Sequence, residues 1–542
     1  MTDHKTEDKH LFLEHHEIVP ILIGLMSGMF LAALDQTIVA TAIRTIGDEL
    51  NGLSVQAWVT TAYLITSTVA TPLYGKLSDI YGRKPLYLWA ISLFLVGSAL
   101  SAFAPSMYVL AGFRAIQGLG AGGLMTMALA IIGDIVPPRE RSRYQGFFMA
   151  VFGTSSVLGP VVGGFLADQE SLLGITGWRW VFLINVPIGI IALYLVNHTL
   201  HIPGFVRVEH KLDWLGAFAM ALGVVPLLLL AERAPDWGLA SPTAFLCYAL
   251  TIIGGSLFIW AESRIGDEAL IPLRLFKDKT FSLLTIVGVI TGIAMFGGLA
   301  VLPLYLQIVG GAGPTEAGLQ LLPLTLGMMS GSVIAGQTIG RTGRYKGFIF
   351  SGTIIVTLSL AWMTRIDADT AYPLIAAMAL VFGLGLGFLM QPTVVAVQNS
   401  TTPRDIGVAT SSVTLFRQLG ATLGTGIFLS LLFGRLPDFI KDRYEAAAQT
   451  KPFQQLVAQH PELLQKLQGL QGASGSDAFN DTSWLSSANQ VFVHPILEGF
   501  TDATNLVTTV GAAIAVVAIG FAIFVPNIEI KHHDRSAPPA AH

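Results

Sequence analysis

The chain has 542 residues, 52% hydrophobic and 12% charged, with a formal net charge of −4 and a mean hydropathy of +0.63. Soluble domains carry about 25% charged residues, so this composition, with apolar runs of about 20 residues, excludes a soluble enzyme or binding module and specifies an all-α polytopic membrane protein. One cysteine, Cys247, sits inside an apolar run, which excludes a disulfide framework and a cysteine metal site.

In chain order, Met1–Glu17 is polar and acidic and holds His4, His10, His15 and His16. It lacks the basic n-region and cleavage site of a signal peptide, and reads as a solvated cytoplasmic tail rather than a metal site. The length rule then gives about fourteen spans. Six fall at 18–42, 57–76, 86–104, 107–131, 144–166 and 180–199. Two follow at 212–231 and 243–261, and a last six at 280–308, 315–338, 347–364, 372–397, 407–432 and 502–525. The expected organisation is a tail (1–17), a six-helix half (18–200), two inserted helices (212–262), a cytoplasmic linker (263–279), a second six-helix half (280–526) with an outer loop at 434–500, and a second tail (527–542). Within that loop, Pro437–Ala448 and Pro452–Leu470 have helical apolar spacing, and Gln471–Asn480 is a polar break. The loop reads as a solvated hairpin over the outer mouth or, alternatively, as a lid or guide for a lipophilic substrate.

Orientation follows from the basic residues. With the N-terminus inside, inner segments hold about 20 of the 31 lysines and arginines, which places both termini in the cytoplasm of a plasma-membrane protein.

The turn Gly75–Lys84 joins two uncharged runs, Ala57–Tyr74 and Pro85–Ala104. It recurs 261 residues later, where Gly336, Gly343 and Arg344 stand in place of Gly75, Gly82 and Arg83, but Gly340 replaces Asp79. Gly118-Leu119-Gly120 and Pro138-Arg139-Glu140 recur 265 residues later as Gly383-Leu384-Gly385 and Pro403-Arg404-Asp405. Two six-span repeats in the same orientation place a transport site between the halves, and one repeat has kept its charges.

Those charges are the candidate machinery. Asp79, at the end of span 2, is placed to cap a helix N-terminus of the other half, with span 13 nominated by the repeat. Arg83 can hold the same carboxylate, and Asp134 can hold Arg83. Gly75, Gly82 and Lys84 complete this cytoplasmic gate. Asp35 lies about 12 Å below the outer end of span 1, and Arg114 about 10 Å below the same boundary on span 4. They form the candidate proton-coupling pair. Their duplicates are Phe296 and Ala379, so neither charge is needed to build a six-helix half. Arg417 lies about 15 Å deep in span 13, where a charge is a functional candidate by default. It either holds a polar group of the substrate or braces the bundle. Gln117, Gln391 and Arg417 are the candidate cavity residues. No phosphate loop, zinc-spaced cluster or nucleophile elbow is present, so no cofactor, metal or nucleic acid is expected, and energy must come from an ion gradient or from the substrate's own gradient.

Several stretches resemble one family. Gly75–Lys84 looks like the loop 2–3 signature of the major facilitator superfamily. Leu34-Asp35-Gln36-Thr37-Ile38-Val39 looks like the first-span signature of its fourteen-span drug:proton antiporters, Arg114–Gly120 like the fourth-span motif, and Gly153 with Gly159-Pro160-Val161-Val162-Gly163-Gly164 like the fifth-span antiporter motif. Trp178–Pro187 and Leu212–Gly216 are also family-like. Arg44 departs from the pattern, which usually has proline there. The resemblance covers about residues 18–530. It implies the major facilitator fold and proton-driven export of small lipophilic compounds by a monomer in the bilayer. Only the resemblance connects the span 5 glycines with export; by their chemistry they serve close helix packing equally well. Three rival readings remain open: export of a lipid or envelope precursor, proton-coupled uptake by the same fold, and a non-transporting receptor or channel. The lack of deep carboxylates other than Asp35 implies neutral or singly cationic substrates.

Overall fold

The computed structural model describes residues 15–50, 56–167, 169–201, 213–238, 240–402, 405–459 and 489–530. Most of the N-terminal tail, the stretch Gln471–Asn480 and much of Pro452–Leu470 lie outside the described residues.

The first half consists of α1 (His15–Glu49), α2 (Ala57–Tyr81), α3 (Arg83–Ala102), α4 (Met107–Ile135), α5 (Pro138–Ala167) and a sixth span broken at Ile184 into α6 (Trp180–Leu183) and α7 (Asn185–Thr199). A small antiparallel ribbon, Ser171–Leu172 with Ile175–Thr176, precedes α6. Next come α8 (Trp214–Trp237) and α9 (Pro242–Ile265). The second half is α10 (Lys279–Ile308), α11 (Pro314–Gln320), α12 (Leu322–Thr342), α13 (Lys346–Met363), α14 (Tyr372–Ser400), α15 (Ile406–Ala447), α16 (Lys451–Gln459) and α17 (Gln490–Phe524). In hydrocarbon a backbone must satisfy its own polar groups, and here helix starts are also closed by side chains. The Ser241 hydroxyl accepts from the Ala244 N–H at 3.1 Å, and the Asp278 carboxylate from the Phe281 N–H at 2.8 Å.

Among the described residues twelve helices are long and apolar enough to cross a membrane. The chain is thus a multi-pass membrane protein. The count of fourteen rests on reading α2 and α10 as spans too. Hydroxyls dilute the hydropathy of α2, although Thr66, Ser67 and Thr71 each donate back to a carbonyl of their own helix. In α10 the apolar stretch is described over Lys279–Met295.

The duplication is visible in the packing. Helix α2 packs on α4, α1 on α5, α3 on α4, and α1 and α3 on α7. In the second half α12 packs on α14, α10 on α15, α13 on α14, and α10 and α13 on α17. Each half has its own apolar core, one around Tyr87, Phe94 and Phe148 and the other around Phe382, Phe428 and Phe492. The halves meet along two seams, α5 against α12 and α2 against α15. Helices α8 and α9 pack on each other, and α8 leans on α2 and α15.

Two helices run past the span limits read from the sequence: α15 continues beyond 432 to Ala447, and α17 begins at Gln490, before 502. Helices α15 and α17 run on and pair beyond the apolar part of the bundle. The Tyr444 hydroxyl donates to the Phe492 carbonyl at 2.7 Å, Arg443 forks onto Asp502 at 2.6 and 2.9 Å, and Ile440 packs on Gly499. This tertiary pairing carries the helix through Pro437.

Candidate functional site

The deepest polar group is Asp35 on α1, fully buried. Its Oδ2 accepts from the Arg114 guanidinium of α4 at 2.5 Å, and its Oδ1 accepts from Gln117 Nε2 and Asn185 Nδ2, each at 2.8 Å. Arg114 also donates to Gln117 Oε1 at 2.7 Å. Its guanidinium lies over the Tyr63 ring, 4.1 Å from the centroid. Asn185 also reaches Ser98 Oγ at 3.0 Å, and Ser98 donates to the Phe182 carbonyl at 2.9 Å. Five spans of the first half thus supply one charge-balanced nest. Gln117 belongs to this nest rather than to an open wall, since it is fully buried against Asp35.

The glycines of α5 bear on the same helix as Asp35. A Cβ on Gly159 would fall 1.9 Å from Thr37 Oγ1, and one on Gly163 would fall 2.8 Å from the Ile38 carbonyl. Only glycine admits this approach. Thr37 then donates to the Ser155 carbonyl at 3.0 Å. Gly153 serves the other face, where a Cβ would fall 2.2 Å from Thr325 of α12. Pro160 approaches Gly318, whereas Gly164 has ordinary clearance.

At the end of the bundle that carries the charged turn, a second cluster crosses between the halves. Arg83 bonds Asp79 at 2.6 Å and Asp134 at 2.7 Å. Asp79 Oδ2 accepts from the Val408 N–H at 3.2 Å, in the first turn of α15. Arg83 also donates to the Ser78 hydroxyl. Burial pushes the Asp79 carboxyl up to about 6, against the pull of Arg83. Gly82 has φ 96°, the left-handed side that favours glycine. Gly75 and Gly407 let α2 and α15 touch. A Cβ on Gly75 would fall 2.1 Å from Ser411 Oγ, and one on Gly407 would fall 2.4 Å from Asp79 Oδ1. Lys84 donates to the Asn197 carbonyl at 2.6 Å at the end of α7, and Lys346, one residue beyond the matching position in the second half, donates to the Ile523 carbonyl at 2.8 Å at the end of α17.

Arg417 lines a narrow cavity within the second half with Gly288, Thr291, Met295, Met390 and Thr393. Among the described residues no carboxylate pairs with it. Gln391 is buried nearby but does not line this cavity.

Two contributors escaped the sequence reading. Asn185 was visible only as part of a motif; its role needed the fold. Gln398 of α14 donates to the Leu129 carbonyl and to Thr410, each at 3.1 Å, and accepts from Gln145 at 3.3 Å, which adds a second link between the halves. Uncharged amides in long apolar runs give no depth signal of their own.

Residues 25–425 match the Major Facilitator Superfamily. The chain belongs to this superfamily of transporters. It is 33% identical over 519 residues to the multidrug transporter protein MdtP of Bacillus subtilis (strain 168), covering 94% of both chains. It is 35% identical over 415 residues to multidrug resistance protein 3 of the same organism, covering 75% of this chain and 78% of that one. The crystal structure of the human organic anion transporter MFSD10 shares the fold, with a TM-score of 0.58 at 13% identity, over 93% of this chain and 99% of that one.

Proposed function

We propose that this transporter is a secondary active exporter that exchanges neutral or singly cationic lipophilic compounds for protons by alternating access. On this reading it is a fourteen-span drug:proton antiporter of the plasma membrane, with the charged turn and both termini in the cytoplasm, and it works as a monomer. The observation that carries the reading is the Asp35 nest: a fully buried carboxylate balanced by one arginine. The names of the relatives, a multidrug transporter protein and a multidrug resistance protein, support a role in handling drugs.

The chemistry follows from the pair. Burial favours the neutral carboxyl, and an adjacent guanidinium favours the ionised one. In the arrangement seen here Asp35 is paired with Arg114. Where water or substrate weakens that pairing, Asp35 takes up a proton; where the pairing re-forms, the proton leaves. Arg114 stays charged throughout. The α5 glycines press on Thr37 and Ile38, two and three residues from Asp35, so movement between α5 and α1 reaches the carboxylate directly.

The test is substrate-induced proton release from detergent-purified protein. Asp35→Asn should abolish both that release and proton-driven efflux in vesicles while the protein remains folded. Equal release from the variant and the native protein would assign the proton to another group.

A further inference from the structure

Away from the Asp35 nest, two carboxylates face each other where the inserted pair α8–α9 meets the charged end of α2. Asp213 stands immediately before α8, and Glu262 lies in the last turn of α9; they are 5% and 1% exposed. Each uses one oxygen on the backbone. The Gly216 N–H donates to Asp213 Oδ1 at 2.6 Å, and the Ile271 N–H to Glu262 Oε2 at 3.1 Å. The remaining oxygens, Asp213 Oδ2 and Glu262 Oε1, have no hydrogen-bond partner among the described residues. Both converge on one point: a Cβ on Gly216 would fall 2.2 Å from the first and 3.0 Å from the second.

Two ionised oxygens without donors do not rest together in a pocket shut off from water. They repel each other, and each has lost its hydration. A single proton between them cures both faults, because it turns one acceptor into a donor for the other. The charges agree. Among the described residues Asp213 and Lys76, the latter on α2 and 5% exposed, are the charged groups that act on Glu262. Arg264 lies over Trp260 instead, and Arg274 pairs with Asp405. Lys76 is thus a cation beside the pair, and a proton shared by the two carboxyls lowers the negative charge that they bring together. The surroundings are dry: Ala217, Met220, Leu270, Ile271 and Leu415 close over this junction.

We propose that Asp213 and Glu262 share one proton between Oδ2 and Oε1, forming a second proton-binding site that fastens the inserted helices to the charged turn. The proton comes from, and returns to, water on the charged-turn side. Lys76 follows Gly75, which touches Ser411 of α15, so a shift at that seam alters the site. The site stands whether or not Asp35 drives exchange.

Infrared spectroscopy of the purified full-length protein tests this. At about pH 8, where ordinary carboxyls are ionised, the native protein should show a protonated-carboxyl stretch that shifts in heavy water. The band should vanish in Glu262→Gln and in Asp213→Asn and persist in Asp35→Asn. A proton held by the folded state stabilises it below the pair's titration, and that stability is lost as pH rises through it. The native Tm should therefore fall with rising pH, while the Tm of Glu262→Gln, whose amide supplies the missing donor, should not. No band in the native protein at this pH overturns the proposal, as does a band that survives both substitutions or parallel Tm profiles. The native spectrum decides alone if neither variant folds.

Discussion

Asp35 and Asp79 are chemically the same group in opposite settings. The first takes donors from Arg114, Gln117 and Asn185. The second, 15% exposed, has Arg83 and one backbone N–H. Burial outweighs those partners and raises the Asp79 carboxyl from its ordinary 3.8 to about 6. The sign matters. A group that binds its proton more tightly in the closed seam than in water favours closure when protonated, and this contribution is lost as pH rises through about 6. Acidification of the charged-turn side from pH 6 towards 3.8 should therefore tighten the α2–α15 seam. Asp79→Asn should abolish that dependence and slow turnover by holding the seam shut. Labelling of a cysteine introduced at the seam, followed against pH, checks this; a variant with the native profile would remove Asp79 from the response. Residue by residue, charges were legible in the sequence because a charge deep in an apolar run is costly and therefore conspicuous. Asn185 was not, since a neutral amide costs far less there.

At the scale of elements, the transporter depends on how closely helices approach. At Gly75 the geometry leaves no space: an added Cβ meets Ser411 Oγ at 2.1 Å and Ser411 Cβ at 2.6 Å. That clash exists only while α2 and α15 touch. Gly75→Ala should shift the equilibrium towards the arrangement in which this seam is open, and Ser411→Gly in the same chain should restore it. Forcing such an overlap costs about 1–3 kcal/mol, enough to change the populations about tenfold. Seam accessibility to a thiol reagent in the single and double variants measures it; unchanged accessibility in Gly75→Ala would show that the seam yields without cost. The repeat made Gly75 and the start of α15 legible as partners, because matched glycines at a fixed offset mark equivalent helices. The extensions of α15 and α17 were not legible. Their polar, proline-containing stretches look like independent helices until Tyr444 and Arg443 find Phe492 and Asp502. The facing of Asp213 and Glu262 was hidden for a similar reason, since each falls at the end of a span and the fold alone brings them together.

Across the whole molecule, duplication leaves two halves alike in packing and unlike in charge. The first keeps the Asp35–Arg114 pair. In the second the equivalents of Asp35, Arg114 and Gln117 are Phe296, Ala379 and Phe382, and Phe382 is fully buried against Gly298. The second half instead carries Arg417 beside its cavity. The negative charge of the first half is already matched, and the deep charge of the second half is positive. A dication would find the deep carboxylate of the first half, Asp35, already paired with Arg114, and unpaired charge in a poorly hydrated interior is expensive. Efflux should then rank neutral amphiphiles above monovalent cations and leave rigid dications behind. Arg417 sets part of that order. Arg417→Gln should raise the efflux of a monovalent cation relative to its neutral analogue several-fold, because it removes a repulsion while keeping hydrogen-bond donors beside Thr291 and Thr393. Everted vesicles with matched neutral, monovalent and divalent dyes measure the order directly. Preference for the dication over its monovalent analogue in the native protein would contradict it, and an unchanged ratio in Arg417→Gln would confine Arg417 to bracing the bundle.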